Sequence, residues 1–105
     1  MNTSIPTWCV PSSILCALIY GIHERRPVRI AIFDLGEGVH HAQAQAQAED
    51  GQWEYLTEYW TGACMAAMLY RENHPDCVGK EPIAYYTVRE FLDQQAVALE
   101  LEGVL

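Results

Sequence analysis

Basic side chains are scarce in this sequence. Six Lys and Arg stand against 14 Asp and Glu in 105 residues, a formal net charge of −8. The imbalance is uneven. Through Ala48 the basic and acidic side chains cancel, and all of the excess negative charge follows from Glu49 onward. Such a surface repels phosphate backbones, so no nucleic-acid partner is expected. The one basic group, Arg25, Arg26 and Arg29, reads as a solvated helix end and strand start, with an anion or carboxylate contact as the sharper alternative.

Long apolar runs are missing too. The longest spans about eight residues, too short to cross a bilayer, so no membrane partner is expected. Closely spaced cysteines are also absent. Cys9, Cys16, Cys64 and Cys77 include no pair with the spacing of a zinc ribbon. The first twenty residues lack a basic start and contain Pro6 and Pro11, which speaks against a secretory leader. The expected setting is the reducing cytoplasm, with free thiols. No repeat and no linker divides the chain, so residues 1–105 read as a single domain.

What is present is a mixed pattern of helix and strand. MNTSIPTW is an extended lead-in, and Pro11 suits the first turn of a helix running to Tyr20. Ile14, Leu15, Leu18 and Ile19 would form its apolar stripe. VRIAIFDL (28–35) is apolar on both faces, as in a strand covered on both sides. After the GEG turn, residues 40–48 alternate strictly: Ala42, Ala44 and Ala46 face one way, Gln43, Gln45 and Gln47 the other. Asp50-Gly51 then signals a two-residue hairpin, with a return strand from Gln52 to about Glu58. GACMAAMLYRE predicts a second helix over 61–72, ended at Pro75. IAYY is a short strand, and Thr87 with Glu90 forms a capping box for a last helix carrying Val88, Phe91, Leu92 and Leu99. The fold expected is α+β: a small antiparallel sheet with an N-terminal helix packed on it and further helices.

Four residues carry the chemistry. Cys9 lies at a helix start, where free N–H groups lower a thiol pKa. Cys16 lies inside the apolar helix and reads as core. His40 and His41 open a strand and point to opposite faces, so only one of them can meet Cys9 as an imidazolium partner. His40 shares the small alanine face, which a helix can approach closely. A two-residue Asp50-Gly51 turn would set His41 opposite Trp60 and diagonal to Glu58, making Glu58 the carboxylate able to steady it. His74, Cys64 and Cys77 add donors for a metal, but their spacing forms no ligand set, and neither metal nor cofactor is expected. The aromatic run Trp53, Tyr55, Tyr59 and Trp60 reads as core and sheet surface, or as a groove for a small molecule or peptide or a dimer face. With so many aromatics on a short chain, a homo-oligomer is expected.

A cysteine at a helix start, a strand, HA opening a hairpin and then DGxW together resemble the transglutaminase-like branch of the papain-like cysteine hydrolases. The resemblance covers about residues 8–58. It rests on WCVPSSILCALIYGI, His41-Ala42 and WEYLT, and it implies a nucleophile helix packed on an antiparallel sheet. It also implies a Cys, His, Asp triad, with Cys9 as nucleophile and His41 as base. Thr57 stands at the aspartate position, so the third role would pass to Glu58 or Asp76. The implied reaction is hydrolysis or acyl transfer at an amide or thioester, with a non-catalytic binding protein on a similar scaffold as the alternative.

Overall fold

The computed structural model describes residues 9–61, 64–72 and 75–101. Its elements in chain order are α1 (Cys9–Glu24), β1 (Val28–Gly36), β2 (Val39–Gln47), β3 (Trp53–Thr61), β4 (Cys64–Tyr70), a 3-10 turn at Pro75–Cys77, β5 (Ala84–Tyr86) and α2 (Val88–Leu101). The strands form one five-stranded sheet in the order β4-β3-β2-β1-β5, and all neighbours are antiparallel. This is a small α+β fold with an N-terminal helix on a sheet and a second helix beside it. The lead-in over residues 1–8, together with His74 and Gly103, lies outside the described residues.

The alternating strand folds as its pattern predicts. Ala42, Ala44 and Ala46 of β2 are buried beneath α1, and residues of odd number line the opposite face. The helix meets this face with small side chains. Ser13, Cys16 and Ala17 are buried, whereas Leu15 and Leu18 of the expected stripe are 44% and 40% exposed, and Ile22 beyond it is 74% exposed. The reason is steric. A face of methyl groups lets the helix sit close, and a leucine there would hold it away. Larger residues pack at the flanks: Val10 and Ile14 toward Ile30 and Ala42, and Tyr20 toward Val28 and Ala46. The helix ends where the Arg25 N–H donates to the Gly21 carbonyl (3.0 Å) with Arg25 at φ 55°, and Pro27 follows.

The hairpin forms one residue out of the expected register. Gln45 pairs with Tyr55, not Leu56. The connection has three residues rather than two: Ala48 N–H donates to the Gln52 carbonyl (2.8 Å), and Gly51 N–H to the Ala48 carbonyl (3.0 Å). Gly51 supplies the left-handed conformation this loop needs, at φ 85°. A shift of one residue turns every side chain of β3 to the other face. Leu56 therefore faces α1 in the buried core, while Tyr55 packs on the far side with Ala31, Phe33 and Cys77.

The helix expected over 61–72 is instead β4, paired with β3 from Tyr55↔Tyr70 to Thr61↔Cys64. CMAAMLY also alternates. Ala67 and Leu69 pack on the α1 core, while Ala66, Met68 and Tyr70 are exposed. Pairing with the aromatic strand beside it overrides the helical preference of Ala, Met and Leu. The capping box forms as expected: Glu90 N–H donates to Thr87 Oγ1 (3.0 Å) and Thr87 N–H to Glu90 Oε1 (2.8 Å). Phe91 of α2 is buried against Ile30 and Ala42, but Leu92 is 42% exposed.

The close seating of α1 on β2 has a direct test. Ala44 is fully buried between them, so Ala44→Leu should destabilise the fold by about 1–3 kcal/mol through overpacking. Thr57→Leu, at an exposed position of β3, should stay within about 0.5 kcal/mol of the parent. Urea unfolding measures both, and equal effects would mean that α1 does not rest on the alanine face.

Candidate functional site

The start of α1 and the start of β2 lie at the same end of the molecule. Val10 and Ile14 pack near Ala42, Cys16 and Ala17 near Ala44 and Ala46, and Gly21 against Val28, which pairs with Ala46. The helix therefore runs along β2 in the same direction, and Cys9, as its first residue, stands toward the His40 end. A pocket of about 370 Å³ opens there, lined by Val10, Ile32, His40, Ala42 and Tyr86 together with α2 residues Phe91, Gln94 and Gln95. Gln94 Nε2–H donates to the Tyr86 hydroxyl (3.1 Å), and the Tyr86 and Phe91 rings lie 6.1 Å apart. The α2 contribution has no obvious signal in the sequence, because it depends on β5 bringing that helix beside β1.

The two histidines separate as adjacent strand residues must. His40 shares the α1 face with Ala42 and is exposed at the pocket rim. His41 borders the same pocket, but it pairs with Phe33 and belongs to the far face. His41 Nε2–H donates to Gln43 Oε1 (3.0 Å), and Gln43 Nε2–H donates to the Leu56 carbonyl. This relay lies just beyond the last β2–β3 backbone pair, Gln45↔Tyr55. His41 thus joins the strands beyond their last backbone pair, on the sheet face away from α1.

Glu58 also departs from expectation. With the register shifted, it follows Leu56 on the α1 face and pairs with Ala67. Its charge acts on Cys16, on the face opposite His41. The carboxylate directly across from His40 is Asp34 of β1. Opposed residues on one sheet face bring their Cβ atoms to about 4.5–5.5 Å. Asp34 Oδ1 already accepts the Gly36 N–H (2.8 Å), which anchors the carboxylate at the strand end. Asp34 is the sole acidic residue of VRIAIFDL. That signal was present, but without the β1–β2 register it had no partner to point to.

The Cys16 and Cys77 side chains are both buried. The side chains of Cys9, Cys64 and Asp76 lie outside the described residues. Among the described residues no three His, Cys, Asp or Glu side chains gather as a metal set, and no helix is long and apolar enough to cross a membrane. No family model, curated protein or solved structure matches this chain.

Burial pushes the Cys16 thiol up to about 11, and the Glu58 charge adds to that, against a lowering hydrogen bond from Ser12. Below about pH 9 the thiol is neutral in both folded and unfolded chains, and its contribution to stability is fully present. Between its ordinary value of 9.0 and about 11 only the unfolded chain ionises. Stability should then fall with rising pH, by on the order of 2 kcal/mol from this group. Tyr20 and Tyr55 are also raised, chiefly by burial, and act in the same sense. The informative quantity is the difference between the parent and Cys16→Ala in urea unfolding across this range. It should shrink as pH rises, and a constant difference would show that the Cys16 thiol ionises alike in both states.

Proposed function

We propose that the chain is a cysteine-dependent hydrolase or acyltransferase acting on an amide or thioester, with Cys9 as nucleophile, His40 as base and Asp34 as the carboxylate that orients it. The observation that carries this reading is that Val10 of the first turn of α1 and His40, which stands directly across from Asp34, line one pocket. The order of helix, strand and antiparallel hairpin also fits the transglutaminase-like, papain-like pattern of the sequence, with the base moved from His41 to His40 and the carboxylate to Asp34.

The steps follow from those roles. The free N–H groups of the first helical turn and a His40 imidazolium favour a Cys9 thiolate. The thiolate attacks the acyl carbon, and the charge on the carbonyl oxygen needs donors. The Cys9 N–H is one, and the Gln94 and Gln95 carboxamides border the same pocket as others. His40 passes its proton to the departing amine or thiol, leaving a thioester on Cys9. It then takes a proton from water or an incoming amine, which attacks the thioester and releases the thiolate. Such a thiol works in a reducing compartment, consistent with a cytoplasmic chain.

A binding module is the second reading. The mostly apolar wall of Val10, Ile32, Tyr86 and Phe91 favours it, since that wall suits a small apolar ligand with or without chemistry. Iodoacetamide labelling of each cysteine as a function of pH separates the two. Cys9 should react with an apparent pKa well below the usual value of about 8.5. His40→Gln should return it toward that value, Asp34→Asn should do so in part, and His41→Gln should leave it unchanged. Ordinary titration of Cys9 would move the assignment to the binding module.

In this reading the chain also pairs with a second copy through β4. That strand is one edge of the sheet, and from Tyr59 to Tyr70 the chain carries no charged side chain to block edge pairing. An antiparallel pair centred on Ala67 sets Met68 opposite Ala66 and Leu69 opposite Met65, matching apolar to apolar on both faces. Sedimentation at about 100 μM, well above the range of a weak contact, should give twice the 11.9 kDa chain mass. Met68→Lys, at an exposed edge position, should return the protein to the monomer, and a monomeric parent would refute edge pairing.

A further inference from the structure

On the sheet face away from both helices, Arg29 stands apart from the other arginines. Arg26, Arg71 and Arg89 each face a carboxylate: Glu49 at 3.0 Å, Glu54 at 3.0 Å and Asp93 at 3.6 Å. Arg25 is exposed. Arg29 is half-buried, and no carboxylate pairs with it among the described residues. Its guanidinium carbon lies 4.0 Å from the Trp53 ring centre and 3.9 Å from that of Tyr85. Its Nε–H donates to Gln45 Oε1 at 2.7 Å.

The sheet register builds this arrangement. Gln45 lies directly across from Arg29 on β2, Tyr55 across from Gln45 on β3, and Tyr85 reaches in from β5 beside Ala31. Aromatic rings on either side fix the guanidinium plane, and Gln45 fixes its rotation within that plane. The Nε edge is occupied. What remains is the outer edge, where the two terminal nitrogens present parallel N–H donors, and no described residue bonds to them. A fork held in this way matches two oxygens of one planar group. A cation withdrawn from water without a counter-charge gains most from such an anion. Burial lowers the Arg29 pKa, against opposing effects of Tyr85 and Tyr55, which is the direction expected for a charge lacking a neutralising partner.

We propose that Arg29, held between Trp53 and Tyr85 and turned by Gln45, is a receptor for a carboxylate group of a ligand, bound end-on by its two terminal nitrogens. The site lies on the face opposite Cys9 and His40, so it stands or falls independently of the thiol chemistry. Tyr55, which acts on the Arg29 charge, also lines a groove of about 630 Å³ together with Arg71, Glu72, Cys77, Lys80 and Glu81.

The test is titration of the whole chain with sodium acetate at constant ionic strength, with sodium chloride and inorganic phosphate as separate arms. Proton–nitrogen NMR follows the Arg29 Nε–H and Trp53 indole N–H signals. Acetate should shift both saturably, and chloride should not. Arg29→Lys keeps the charge but loses the fork, and it should weaken acetate binding about tenfold or more. Tyr85→Leu, at a position 48% exposed, keeps the guanidinium but frees one of its faces. It should weaken binding several-fold, and it carries the test if Arg29→Lys does not fold. An absence of saturable acetate shifts, a response to phosphate alone, or undiminished binding in the folded variants would overturn the proposal.

Discussion

The contact on which the rest of this molecule depends is a close one between small side chains. Ser13, Cys16 and Ala17 of α1 lie against Ala42, Ala44 and Ala46 of β2, and all six are buried. Methyl on methyl gives modest apolar area per residue, so this contact does not stabilise by bulk. Its effect is to fix a short distance and a direction. Because the helix follows β2 from Ala42 to Ala46, its first turn must end beside the first residues of that strand. Bulky residues are displaced to the rim of the contact, where Val10, Ile14 and Tyr20 pack, or outward into solvent, as with Leu15 and Ile22. The helix propensity of alanine is overridden in β2, because a two-residue period and a tight loop act together on that segment.

The period of two then sorts the functional groups. Once Ala42 faces the helix, His40 must face it as well, and His41 must face away. The same rule applied to β1 brings Asp34 to the His40 side and Arg29 to the other. Applied to β3 it sends Glu58 toward Cys16, and Trp53 and Tyr55 toward Arg29. One sheet thus carries a thiol helix and an imidazole on one face, and a cation held by aromatic rings on the other.

Much of this was legible in the residues. The alanine–glutamine alternation gave β2 and its helix-facing side, Thr87 and Glu90 gave the start of α2, and Cys16 read as core. The failures have specific causes. Register depends on whether a turn has two residues or three, and Glu49-Asp50-Gly51 differs from Asp50-Gly51 by one residue that sequence pattern cannot count. That single residue moved Glu58 away from His41. Residues 64–70 were misread because Ala, Met and Leu prefer helix locally, whereas the decisive interaction is with β3, an element separate in sequence. The apolar stripe of α1 holds at Ile14, which packs on the core, and fails at Leu15 and Leu18, because the alanine face has room only for small residues. Asp34 was visible as a residue and invisible as a site, since it acquires meaning only from the strand across from it, whereas Arg29 belonged to a basic group that already pointed to a carboxylate contact.

The backbone pairs of β2 and β3 end at Gln45↔Tyr55, and toward the His40 end the strands are joined through the Gln43 side chain instead. Gln45, at the last backbone pair, orients Arg29 from the far face, and Gln43, two residues earlier, holds His41 and the Leu56 carbonyl. The polar side of the alternating strand is therefore satisfied largely within the protein. Gln45 is 3% exposed with its amide oxygen bonded to Arg29. Glutamine suits this role because its amide both donates and accepts, so one residue can link a histidine on its own strand to a carbonyl on the next. A carboxylate in its place would accept only. The Leu56 carbonyl would then lose its donor at the point where the ladder opens, which is a physical reason for the glutamine at this position of an otherwise acidic chain.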